Sequence, residues 1–310
     1  MLLFRTALEL VDAGERPVLA TVIDAAGSTP RHRGAHMLVR EDGEIVGTIG
    51  GGRVEHEVVS AAREVAAGGP ARRARWHLVR DLAMCCGGAM ELYLEPVPQS
   101  RDALAQVLDA IAHRRRCALV TDLDGSPKRV EPLADGAGRK PALDGERLTE
   151  PVLPTDRLVL FGGGHVSRAI GPLASTVGFE VHVCDDGEVR ELDEAPPWAA
   201  SLIESFDLRD VERALGSLGV GDYVVILTRD HAIDQRILET IIANEELAYL
   251  GLIGSRGKAG RFRRRLEAKG LLTPERWGRL HSPVGLDIAA ETPEEIAVAV
   301  VAELVRERNR

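Results

Sequence analysis

A segment just past the middle of the chain, RLVLFGGGHVSRAIGPLASTVGFEVHVCDD (157–186), restricts the architecture more than any other stretch. An apolar strand runs into three glycines, a helix-period segment follows, and a second apolar run ends in paired aspartates. Strand, glycine turn, helix and strand form the opening unit of a doubly wound parallel sheet. Gly162 permits the tight turn, Gly164 lets main chain approach an anion, and the helix starting near His165 offers free amides and a favourable dipole. Ser167 stands at the third glycine position and is small enough for close packing. Asp185 follows Gly164 by 21 residues, the spacing at which an acidic side chain meets a ribose. Close helix packing alone also demands such glycines, so the fingerprint speaks for the fold more than for NAD(P) or another nucleotide.

The pattern continues to the C-terminus. YVVILTRD and YLGLIG are near-continuous apolar runs, as expected for strands buried on both faces, and each precedes a helical pattern. Their ends bring Arg229, Asp230 and His231 in one loop, and Ser255 and Arg256 in the next, to the sheet edge where ligands bind in open α/β folds. Arg256 and Lys258 at a helix start suit a phosphate, although each charge taken singly reads more simply as a solvated side chain. Thr292, Pro293 and Glu295 form the capping signature of a final amphipathic helix.

The first part of the chain follows a different rule. PVLATVID, AHMLVR and IVGTIGGG read as strands, the last two joined by an Asp-Gly turn. A helix follows from about Val54 to Ala67, and ARWHLVR and AMELYLEPV are two further strands. At 310 residues the chain exceeds the ~100–200 residues of one core. The expected layout is an α+β domain over 1–123, a Gly- and Pro-rich linker over 124–155, and a Rossmann-like α/β domain over 156–310.

Thirty-nine basic against 48 acidic side chains give a net charge of −9, which disfavours nonspecific binding to nucleic acid or anionic membranes. No run approaches the ~20 apolar residues of a membrane span, and the N-terminus lacks the features of a secretion signal. A cytoplasmic protein is expected.

Four cysteines, Cys85, Cys86, Cys117 and Cys184, are too few for a disulfide framework, and no Cys-x-x-Cys pair of a structural zinc site occurs. Cys117 and Cys184 fall on predicted strands. Cys85 and Cys86 sit in a loop, DLAMCCGGAMELYLEP, against Gly87 and Gly88. Gly50, Gly51 and Gly52 immediately precede a helix, where their amides can receive an anion or simply make a turn. Arg31 and Arg33 are possible anion ligands, whereas His32, His36 and His56 lack the spacing of a metal triad.

GSTPRHRGAHMLV, GTIGGGRVEHE, CGGAMELYLEP, GGGHVSRAI, TRDHAIDQRIL, LGLIGSRGK and PVGLDIAAETPEEIAVAVVAEL occur here in one order. That series, covering nearly the whole chain, resembles the xanthine dehydrogenase accessory family of the XdhC/CoxI type. The resemblance implies a nonenzymatic carrier that binds the molybdenum cofactor (molybdopterin). Such a carrier protects the cofactor while a cysteine desulfurase supplies sulfur, then delivers it to a xanthine dehydrogenase-type molybdenum hydroxylase; a homodimer is compatible with it. Cys86 takes the position of the family's Cys-Gly-Gly cysteine, and a thiolate suits molybdenum that carries sulfur ligands. Cys85 departs from the family's single thiol and reads equally as a second metal ligand or as a packed side chain. Two rival readings rest on the second domain alone: an NAD(P)-dependent oxidoreductase using His231 with Asp230 or Asp234, and a nucleotide-binding regulatory module.

Overall fold

The computed structural model describes residues 2–134, 138–187 and 194–310. The chain divides into two compact units, Met1–Pro154 and Thr155–Arg310.

The first unit holds two antiparallel sheets. Strands β1 (Val18–Ala26), β2 (His36–Val39), β3 (Ile45–Gly47), β4 (Arg72–His77) and β5 (Ala89–Pro96) form a five-stranded sheet in the order β3-β2-β1-β5-β4. Alternation along β1 sends Val18, Ala20 and Val22 to one face, where they pack with Val54, Val58 and Val65 of helix α2 (Arg53–Ala66). Leu19 turns to the other face with Ala7 and Leu104, which belong to helices α1 (Leu2–Asp12) and α3 (Arg101–Ala112).

The segment expected to be a linker is not one. After β6 (Cys117–Asp122), strands β7 (Arg129–Glu131), β8 (Ala142–Asp144) and β9 (Arg147–Val152) complete a second sheet in the order β7-β6-β9-β8. Leu119 of β6 lies opposite Val130 on one side and Glu150 on the other. Strands this short, with polar groups buried among them, carry little apolar alternation, and that is why composition hid them.

Those polar groups join the two sheets. The Lys128 Nζ lies 2.7 Å from Glu95 Oε1 with both side chains fully buried, and it donates to Thr121 Oγ1 at 2.5 Å. The Glu150 carboxylate meets His36 Nε2 at 2.9 Å, while His36 Nδ1 lies 3.1 Å from Thr21 Oγ1. Burial works against the Glu150 anion, yet the charges of His36 and Lys128 and the His36 hydrogen bond hold its pKa below the ordinary value.

In the second unit, strands β10 (Arg157–Phe161), β11 (Glu180–Cys184), β12 (Ser201–Ile203), β13 (Asp222–Ile226), β14 (Tyr249–Leu252) and β15 (Leu280–His281) form one parallel sheet. Its order is β12-β11-β10-β13-β14-β15, the 3-2-1-4-5-6 order of a Rossmann fold. Helices α4 (His165–Thr176) and α9 (Pro293–Arg308) cover one face through Ile170, Ala174 and Val300. Helices α5 (Leu208–Leu215), α6 (His231–Ile241) and α7 (Arg256–Ala268) cover the other through Val211, Ile237 and Phe262. A short α8 (Pro274–Gly278) precedes β15. Arg157 and Asp222 form a buried two-pronged pair at 2.6 and 2.8 Å, fixing the register of β10 on β13 at their first residues.

Lys128→Met leaves the buried Glu95 without its counter-charge and is expected to lower unfolding stability by about 3–5 kcal/mol. Urea denaturation checks it, and a Lys128→Met, Glu95→Leu double variant should recover most of the loss.

Candidate functional site

In the first unit, three loops distant in sequence meet at one end of the five-stranded sheet. The loop after β1 accepts the Gly88 amide through Ser28 O at 3.0 Å. A side chain at Gly88 would strike the Ala26 and Ser28 carbonyl oxygens at 2.5 and 2.6 Å, so this close approach requires glycine. Gly50, at φ 128°, abuts the ring of Pro30. Gly52 heads α2 opposite Met84, and Arg53 Nη1 donates to Leu82 O at 3.5 Å. Gly87 and Gly51 instead face open space.

Cys86 lies on the third loop between Met84, which faces Gly52, and Gly88, which touches the loop after β1; it is half-buried against the apolar cluster under α2, while its neighbour Cys85 is exposed. Cys117 and Cys184 are buried, and burial raises both thiol pKa values, which keeps them from acting as thiolates. Arg31 is exposed on the same loop as Pro30. Arg33 is committed to the loop itself, donating to Ile23 O at 2.7 Å and Asp24 Oδ1 at 2.9 Å.

Two groups here escaped sequence reasoning. The Thr29 hydroxyl is buried with no hydrogen-bond partner among the described residues, and its methyl lies beside Gly88. Only its place in the Gly-Ser-Thr-Pro turn could have drawn attention to it. Glu55 accepts from Thr48 Oγ1 at 2.6 Å, Gly51 N at 2.9 Å and Ile49 N at 3.1 Å. The Gly51 amide thus receives an anion supplied by the helix's own first turn.

In the second unit, Gly162, Gly163, Gly164, His165, Asp185 and Arg229 line a cavity of about 310 Å³ at the carboxyl edge of the sheet. A side chain at Gly162 would meet Leu227 O at 2.5 Å, so the turn after β10 touches the end of β13. Asp185 is engaged within the turn, accepting from Gly163 N at 2.8 Å and Gly187 N at 3.0 Å. Ser167 is buried and donates to Gly162 O. Arg229 forms a two-pronged pair with Asp186 at 2.7 and 2.8 Å, spanning from the end of β13 to the end of β11.

Asp230 caps α6 by accepting from Ala232 N at 2.6 Å. His231 is exposed and forms no hydrogen bond to Asp230 or Asp234 among the described residues. Asp234 is buried against Lys258 Nζ at 2.5 Å and accepts from Thr228 Oγ1 at 2.7 Å. Lys258, read from sequence as a phosphate ligand, is a buried cation held by Asp234.

A second cavity of about 610 Å³ shares Ile253 with the first and is lined by Ser255, Arg256 and the 283–290 loop. Ser255 caps α7, and Arg256 extends into solvent, 3.8 Å from Asp287. Glu303 on α9 holds this wall, accepting from Gly285 N at 2.8 Å and Tyr249 Oη at 2.6 Å, with His281 Nδ1 at 3.2 Å. Burial opposes the Glu303 anion, but these donors outweigh it and bring its pKa down to about 2. His281, Glu303 and Glu307 bring ligand atoms within 4.8 Å of one another, yet Arg306 already pairs with both carboxylates.

Residues 158–304 match the model of the XdhC Rossmann domain, and residues 10–77 match that of the XdhC and CoxI family. This chain belongs to that family. It is 30% identical to a Bacillus subtilis protein named as a probable xanthine dehydrogenase subunit, over 99% of this chain and 98% of that one. It is 26% identical to the molybdenum cofactor insertion chaperone PaoD of Escherichia coli, over 99% and 88% respectively. The uncharacterized protein YqeB of Escherichia coli is 32% identical over all of this chain, which spans only 47% of YqeB. A crystal structure described as a xanthine dehydrogenase from Bacillus halodurans superposes with a TM-score of 0.77 at 28% identity, covering 98% of this chain and 95% of that one. Among the described residues no helix is long and apolar enough to cross a membrane.

The Glu303 carboxyl ionises near pH 2 when folded and near 4.3 when unfolded, so the stability it contributes is complete above about pH 5 and is lost as pH falls towards 2. Glu303→Gln should be less stable than the wild type at pH 7, with the gap closing on acidification; urea midpoints measured between about pH 7 and pH 3 check the sign.

Proposed function

We propose that this protein is an accessory carrier of the molybdenum cofactor, serving a xanthine dehydrogenase-type hydroxylase. The observation that supports this most is the convergence of two other loops on the loop that carries the half-buried Cys86. The residues suit such a cargo. A half-buried thiol is a soft donor for molybdenum bearing sulfur ligands, where a carboxylate would compete poorly. Gly51 and Gly87 leave main chain uncovered, and the unpaired Thr29 hydroxyl offers a polar cofactor a hydrogen bond that the folded chain leaves unmade.

On this reading Cys86 is the molybdenum contact, Gly50–Gly52, Gly87, Gly88 and Arg31 surround the cargo, and exposed Cys85 is dispensable. A cytoplasmic cysteine desulfurase supplies sulfur while the cofactor is held. The relatives named for xanthine dehydrogenase and for cofactor insertion agree with this role.

The test is expression in a molybdenum-replete host, with molybdenum measured by mass spectrometry and pterin by fluorescence after oxidation. Cys86→Ser should lose most of its molybdenum with its melting temperature nearly unchanged, because a loop thiol supports little packing. Cys85→Ser should keep it. Molybdenum content unchanged in folded Cys86→Ser protein would remove Cys86 from the site.

For the second unit we propose a phosphate-bearing ligand at Gly162–His165, with Arg229, Asp230, His231, Ser255 and Arg256 on its rim. The carboxylate of Asp185 already holds the Gly163 amide, so it organises the turn as well as standing where a ribose hydroxyl would arrive. Asp185→Ala should weaken binding of NADPH, followed by its fluorescence, by roughly tenfold or more, the scale of a lost charge-assisted hydrogen bond. Molybdenum content should be unaffected; parallel loss of both would mean one ligand uses both sets of residues.

A further inference from the structure

Helix α7 combines two features that its own fold does not use. It carries six basic residues against one acidic residue in a chain of net charge −9, and of the six only Arg256, Lys258 and Arg263 have ion pairs, with Asp287, Asp234 and Glu267, among the described residues. Arg261 and Arg264 are exposed and lie within ion-pairing distance of no carboxylate among the described residues. Many other arginines of the chain are paired, among them Arg40, Arg73, Arg101 and Arg129. Buried Ala259, Phe262 and Leu266 define the inward face of α7, and at 100° per residue Gly257, Gly260, Arg261 and Arg264 fall on the outward one.

The glycines are the second feature. Each weakens a helix interior relative to alanine, and neither is required for close packing within the fold. A methyl group at Gly260 would meet nothing within 4 Å, and one at Gly257 would make only ordinary contacts, the nearest at 3.7 Å. Both residues are exposed. Glycines that no internal neighbour demands, on the same helix face as the unpaired Arg261 and Arg264, fit a surface that another main chain approaches closely while carboxylates reach the guanidinium groups.

We infer that the outward face of α7 docks an acidic protein surface on the molybdenum hydroxylase client, an inference that rests on the carrier function proposed above. A second copy related by a two-fold axis through this face would set like charges against each other, which is unfavourable.

The experiment measures binding of the full-length, cofactor-containing protein to the cofactor-free hydroxylase from the same source, by calorimetry at low and high salt. Arg261→Glu with Arg264→Glu should weaken binding at least tenfold at low salt and flatten its salt dependence, with molybdenum and pterin content unchanged. Gly257→Ala with Gly260→Ala should raise the melting temperature, by about 2–4 °C per substitution, yet weaken binding, an opposition that a structural role for the glycines would not produce. Wild-type affinity in either variant overturns the docking face, as does failure of the cofactor-containing wild type to bind the hydroxylase. Absence of molybdenum and pterin from the wild type would instead overturn the carrier function itself.

Discussion

Main chain touching main chain at the strand ends is the constraint from which both candidate sites follow. At Gly88 the backbone lies against the Ala26 and Ser28 carbonyls, and at Gly162 against that of Leu227. Any side chain at these points would push apart loops that belong to different strands. The glycines thus bring loops from different parts of the chain together, and the sheets beneath hold them there. In the first unit the result is a half-buried thiol beside glycines with open space over them. In the second it is a glycine turn at the switch point of a parallel sheet, where β10 lies between β11 and β13.

Buried charge supplies the second layer of organisation. Lys128 with Glu95 joins the two sheets of the first unit, Arg157 with Asp222 sets strand register in the second, and Lys258 with Asp234 ties α7 to α6. Pairs of this kind add little net stability over an apolar replacement, but removing one member is costly. They favour one arrangement over its alternatives. Several side chains that look like ligands in the sequence are spent in this way: Lys258 in its ion pair, Asp230 in a cap, Arg33 in its own loop and Asp185 partly on Gly163. The residues left available form a smaller set centred on Cys86, Thr29, Gly51, Gly87, His165 and Arg256.

Much of the fold was legible in one dimension. The 157–186 segment announces a parallel sheet because strands buried on both faces read as unbroken apolar runs and the turn between strand and helix needs glycine. The hairpin strands of the first unit show through alternation and an Asp-Gly turn. Of the second sheet only β6 showed, because β7 and β8 each have only three residues and what joins that sheet to its neighbour is a set of polar groups, whose burial no local pattern reveals.

By itself, then, the sequence determined the family, the Rossmann architecture of the C-terminal half and the presence of a thiol in a glycine-rich loop, since each depends on residues adjacent in the chain. Tertiary structure alone decided that Ser28, Pro30, Gly52 and Gly88 belong to one place, that Cys86 is half-buried while Cys85 is exposed, and that Lys258 is inside while Arg261 and Arg264 face outward. The physical reason is that local pattern sets strand, helix and turn, whereas burial and pairing depend on what distant segments bring to the same point.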